Sequence, residues 1–149
     1  MGSERKLLGF LGALPGAAAA APLAWLLLRS EFFAGLAGLA GFLLAAAGWR
    51  LGAGRSSGLG ISAAALLTPA AALPGLYYGC AELILRANAQ YGCTMEEALE
   101  LVPTVALDPI NRGQLLWAVG GVLGMDLLAA GLFARYLRLR RIEKETEMK

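Results

Sequence analysis

Histidine is missing from the chain altogether, and cysteine occurs only twice, at Cys80 and Cys93. These absences remove imidazole acid-base catalysis, Ser-His and Cys-His nucleophile pairs and tetrahedral His/Cys zinc sites together. No catalytic residue, metal site or cofactor is implied, and the sequence reads as a non-enzyme. Charge is scarce as well: Asp, Glu, Lys and Arg make up 16% of the 149 residues, against about 25% in soluble domains. Ala, Leu and Gly fill more than half of the positions, which leaves too few polar side chains to coat a soluble globule.

What the chain has in abundance is apolar length. Four stretches stand out, at about 7–28, 32–49, 58–85 and 114–134. About 20 residues cross a ~30 Å hydrocarbon core as a helix, so each reads as a membrane span. Strands are excluded because an open sheet leaves its backbone unsatisfied in lipid, and no stretch alternates apolar with polar as barrel strands do. The expected fold is therefore an all-α, integral membrane four-helix bundle forming one transmembrane domain, with an outer segment at 86–113 and a basic tail at 135–149. The first stretch has a competing reading as a signal peptide, since Arg5 and Lys6 precede it and Ala17 to Ala21 offer small-residue cleavage sites. Its apolar character runs on without a break through Leu28, which favours a span.

Lys and Arg set the orientation. With the N-terminus inside, Arg5, Lys6, Arg50, Arg55 and the six basic residues of the tail lie on the inner side, and only Arg29, Arg86 and Arg112 lie outside. Both termini are expected in the cytoplasm, in the cell (inner) membrane. The aromatic residues agree: Trp25, Phe32, Phe33, Tyr77, Tyr78 and Trp117 mark the outer boundary, and Trp49 and Tyr136 the inner one. A tight turn at Arg29-Ser30-Glu31 joins the first two spans, and a glycine- and serine-rich loop from Arg50 to Ser57 joins the next two. In the outer segment, Thr94-Met95-Glu96-Glu97 has capping-box spacing, and Met95, Ala98, Leu99 and Val102 share a helical face. A short amphipathic helix on the membrane surface is expected there, stopped by Pro103. Asp108-Pro109 reads as an N-cap and first helical residue leading into the fourth span.

Small residues recur four apart at Gly9, Ala13, Ala17 and Ala21, at Ala37, Gly41 and Ala45, at Ala71, Gly75 and Gly79, and at Gly120 and Gly124. Such ladders let helices approach closely, either within the bundle or between chains of a homo-oligomer. Asp126 stands alone among apolar neighbours inside the fourth stretch, ~18 Å from Gln114 at ~1.5 Å per residue. A carboxylate there costs roughly 3 kcal/mol unless it faces the bundle interior, water or a partner. At matching depth lie Pro15 and Thr68-Pro69, whose prolines free the carbonyls of Leu11 and Ala65. Asp126 and Thr68 are thus a candidate cation or proton site; in the competing reading Asp126, as a neutral acid, donates one structural hydrogen bond to Thr68. Glu82 stands four residues before Arg86, the spacing of a surface ion pair, and with Tyr77 and Tyr78 it is a candidate outer-face contact. Cys80 reads as a small buried residue, with a disulfide to Cys93 the less favoured alternative. Arg135, Arg138, Arg140 and Arg141 are candidate contacts to anionic lipid. No basic and aromatic groove accompanies them, so nucleic acid is not an expected partner.

The order Gly12-Ala13-Leu14-Pro15-Gly16, Gly38-Leu39-Ala40-Gly41-Phe42, Gly48-Trp49-Arg50, Ser57-x-x-Gly60-Ile61 and Met95-Glu96-Glu97-Ala98, followed by Asp126-Leu127-Leu128, resembles an uncharacterised family of small four-helix integral membrane proteins common in Firmicutes. The resemblance runs from Gly9 to Phe133; it implies a four-span fold and supplies no activity. Alanine richness and the basic tail set this chain apart from that family. The expected function is that of a transport-related or accessory membrane subunit acting as an oligomer or beside a membrane partner. The alternative is a structural or assembly factor that moves no solute.

Overall fold

A computed structural model describes residues 3–30 and 32–147; Glu31 of the expected first turn and Lys149 of the tail lie outside them. The described residues form helices and connecting turns, with no strand among them. Helices α1 (Ser3–Ala18) and α2 (Ala20–Arg29) follow the first apolar stretch. Ala19 between them stays right-handed helical at φ −62° and ψ −19°, and Ala19 N–H to Pro15 O and Leu23 N–H to Ala19 O bonds of 3.2 and 3.3 Å carry the ladder through. The interruption comes from Pro22, which has no N–H to give to Ala18.

Helix α3 (Gly35–Ala53) is shifted from the expected 32–49 at both ends. Phe32 N–H turns back to Leu27 O at 2.9 Å, which delays the start. At the other end the helix runs past Trp49 to Gly54, whose φ of +73° suits a residue without Cβ. Helix α4 (Gly58–Ala87) opens where Ser57 Oγ accepts the Gly60 N–H at 3.2 Å.

After a 3₁₀ turn at Ala89–Tyr91 comes α5 (Met95–Leu107), entered through a capping box in which Thr94 Oγ1 accepts the Glu97 N–H at 3.3 Å and Glu97 Oε2 accepts the Thr94 N–H at 2.8 Å. Pro103 does not stop this helix. It withholds a donor from the Leu99 carbonyl, and the Tyr77 hydroxyl donates to that same oxygen at 2.7 Å, so nothing is left unpaired. Asp108-Pro109 also differs from expectation. Asp108 Oδ1 accepts the Ile110 N–H at 3.0 Å and its carbonyl accepts the Arg112 N–H at 2.8 Å, closing a turn before α6 (Arg112–Glu147) begins. The basic tail is no separate element within the described residues, for α6 runs through it.

Close contacts fix the topology. Gly9 meets Ala53, Gly12 meets Gly48 and Gly16 meets Leu44, so α1 runs antiparallel to α3. Gly41 against Thr68 and Gly60 against Trp49 make α3 and α4 antiparallel, whereas Gly35 with Gly121 and Gly38 with Val122 set α6 parallel to α3. The result is an up-down-up-down bundle in which α3 and α4 form the central pair, with α1 and α2 on one side and α6 on the other. Gly12 and Gly48 touch backbone to backbone, each carbonyl occupying the place a Cβ would take on the other.

The distribution of side-chain size is inverted relative to a soluble protein. The core is built mostly from alanine, such as Ala13, Ala45, Ala64 and Ala72, filled out by Phe42 and Trp49, while Leu36, Leu43, Leu66, Leu123 and Leu127 lie exposed. Four helical segments, Ser3–Arg29, Gly35–Ala53, Gly58–Ala87 and Arg112–Glu143, are long and apolar enough to cross a membrane.

Candidate functional site

Asp126 is 1% exposed and Thr68 0%, and they are the buried polar or charged side chains of the core. Thr68 reaches α3 at Gly41, where its Cγ2 occupies the space a Cβ would need. Asp126 follows by one turn Val122, whose carbonyl packs on Gly38, so on parallel helices it lies at the level of Gly41 and Phe42. The two candidate residues therefore share one depth, as the prolines and helix lengths implied.

They do not bond to each other. Thr68 Oγ1 and Asp126 Oδ1 each lack a hydrogen-bond partner among the described residues, so the Asp126 to Thr68 hydrogen bond of the competing reading is not formed. The reason lies in the packing: Thr68 turns its methyl group toward Gly41. No three His, Cys, Asp or Glu side chains gather into a cluster among the described residues. Asp126 is thus a lone acid, able to hold a proton by itself but a cation only with hydroxyl, carbonyl or water oxygens beside it. A third unpartnered polar atom, Trp49 Nε1, lies nearer the loop between α3 and α4, on a ring packed over Gly9 and Gly60. The sequence marked Trp49 only as an interfacial aromatic; nothing in its spacing signals burial.

At the opposite end of the bundle Glu82 is a hub. Its Oε1 pairs with Arg86 at 3.0 Å and with Arg29 Nε at 3.2 Å, its Oε2 accepts the Trp25 indole N–H at 2.8 Å, and the Arg29 guanidinium stacks over Trp25 at 5.5 Å. The Glu82–Arg86 pair was legible from spacing. The link to α2 was not, although Trp25 and Arg29 stand four apart at the matching end of their own helix. Tyr77, expected beside Glu82, instead clamps α5 through Leu99, and Tyr78 is half exposed.

Helix α5 packs on α4 through Ala98 and Val102 against Ala81 and Ile84, with Cys80 and Cys93 as free thiols beside this cluster. The backbone and hydroxyl of Thr94 hold the Glu97 carboxyl below its ordinary value of 4.5. At the far end of α6, Arg135, Arg138, Arg140 and Arg141 are all exposed, and Arg140 stacks over Tyr136 at 5.4 Å. Of the small-residue ladders, Gly9, Ala13, Ala17, Ala37, Gly41, Ala45, Gly75 and Gly79 are buried in the bundle. Gly120 and Gly124 are exposed, with open space where a Cβ would go; α6 turns Ala118, Gly121, Val122 and Ala129 inward instead.

No protein-family model, curated protein or solved structure matches this chain.

Proposed function

We propose that this chain is a multi-pass cell-membrane protein with both termini in the cytoplasm, a transport-related or accessory subunit in which Asp126 and Thr68 hold a proton or small cation. The observation that carries the reading is a fully buried Asp126 with a carboxyl oxygen left unpartnered, level with an equally unpartnered Thr68 hydroxyl. In a membrane an ionisable group in such a place is functional by default, because it is expensive to keep. The alanine core under a leucine exterior supports the membrane setting, and the excess of Lys and Arg on one side supports the orientation. In that setting α5 lies at the outer surface, and the arginines of α6 reach the anionic inner leaflet.

Four spans give few walls for a solute path within one chain. The open glycines at positions 120 and 124 therefore serve a second copy or a membrane partner, by the close approach that small residues permit. The same face favours a second reading, a structural or assembly factor of the membrane without solute movement.

Flux in proteoliposomes separates the readings. Asp126→Asn is nearly isosteric and keeps the bundle; on the transport reading it abolishes proton- or cation-coupled flux while detergent stability is retained, and Thr68→Val reduces flux. Flux in Asp126→Asn equal to that of the wild type leaves the assembly role.

A further inference from the structure

Beyond Glu82, the end of the bundle holds a cleft of about 920 Å³, in the upper part of the roughly 300–1,000 Å³ of small-molecule sites. The turn between α2 and α3, the end of α4, α5 and the start of α6 wall it, and neither Asp126 nor Glu82 borders it. None of its lining residues is charged. Its polar side chains are three carboxamides, Asn88, Asn111 and Gln114, together with the Cys80 thiol; the rest of the wall is apolar. Asn88 Nδ2 donates to Ile84 O at 2.9 Å and Asn111 Nδ2 to Asp108 Oδ2 at 3.3 Å. Their side-chain carbonyls accept no hydrogen bond from the described residues. Phe33 and Trp117, edge to face at 6.3 Å, line the same cleft, and Trp117 is 74% exposed. Such rings favour the boundary between hydrocarbon and headgroups.

We propose that this cleft binds an uncharged lipid, its aliphatic chain against α4 and α5 and its hydroxyl head on the carboxamides. The lining selects the occupant. An anionic or zwitterionic head would be desolvated with no countercharge to meet it, and a small polar solute would leave the apolar walls uncovered. A hydroxyl donates to the free amide carbonyls and accepts from the remaining amide N–H groups. Acylglycerols and long-chain alcohols share this chemistry. The assignment rests on the membrane placement proposed above.

The full chain in phosphatidylcholine nanodiscs, with a monoacylglycerol carrying a diazirine in its chain, provides the test. Photolysis should label peptides covering residues 80–87 and 101–106 saturably. Excess unlabelled monoacylglycerol or long-chain alcohol should reduce the labelling several-fold, the stronger competitor naming the source, and phosphatidylglycerol should not. Ala106→Trp, which fills the cleft, and Gln114→Leu, which removes a side-chain amide that makes no bond with the described residues, should each lower it. Equal competition by phosphatidylglycerol, non-saturable labelling, or labelling unchanged in both variants overturns the site while leaving the membrane placement intact. A chain recovered only in the aqueous fraction removes the placement and the site together.

Discussion

Asp126 and Thr68 each keep an oxygen without a partner among the described residues, in a core otherwise made mostly of alanine and a few larger apolar side chains. An unmade hydrogen bond in such surroundings costs about 1–3 kcal/mol, so a merely structural pair would have closed up. Because they do not touch through their oxygens, a double-mutant cycle of Asp126→Asn with Thr68→Val should give thermal-stability coupling near zero in detergent. A coupling near the ~0.6 kcal/mol average of direct bonds in membranes would mean that the two are bonded and structural. The depth of both residues was legible from the lone acid and the prolines. The direction of the Thr68 hydroxyl was not, since it depends on which face of Gly41 leaves room for a methyl group. The Glu82 hub repeats the lesson: the pair within α4 shows in the spacing, whereas Trp25 and Arg29 join it only because the bundle sets α2 beside α4.

At the scale of elements, α5 depends on an exchange of partners across the chain. Tyr77→Phe should strand the Leu99 carbonyl and lower α5 stability by about 1 kcal/mol; adding Pro103→Ala should restore it, because alanine supplies the missing N–H. Amide exchange over residues 95–107 reads both effects, and a Tyr77→Phe variant with unchanged exchange would show that the hydroxyl contributes nothing. The capping box adds a pH dependence. Glu97 sits below its ordinary 4.5, so its contribution is complete above that value and is lost as pH falls through the depressed one; Glu97→Gln should flatten this acid response. The contact between α1 and α3 is stricter still. Gly48→Leu must drive the Gly12 backbone away and should cost at least the ~1–3 kcal/mol of an overpacked core, read as a lower Tm in detergent. Helix identity was plain from apolar length, while the ends were displaced where a tertiary partner intervened, as Tyr77 does for Pro103, or where a local turn did, as Phe32 N–H does on Leu27 O.

On the scale of the whole molecule, α6 is the element that ties the proposals together. Its 36 residues extend ~54 Å at ~1.5 Å each, well beyond a ~30 Å hydrocarbon core, so it carries Asp126 within the bundle and four exposed arginines past it. Reporters at positions 92 and 147 should lie on opposite sides of the membrane. In phosphatidylglycerol nanodiscs, amide exchange over residues 135–147 should be slower than in phosphatidylcholine, by roughly 1 kcal/mol for each basic residue near the surface, and the difference should fade with salt. Equal exchange in both lipids would leave the arginines as topological anchors alone. The central claim is that Asp126 takes up and releases a proton or cation, and infrared difference spectroscopy of the protein in proteoliposomes tests it most directly. A carboxyl band that is absent in Asp126→Asn should change when pH or the cation is switched on the cytoplasmic side; a band that stays silent under every gradient would contradict the account.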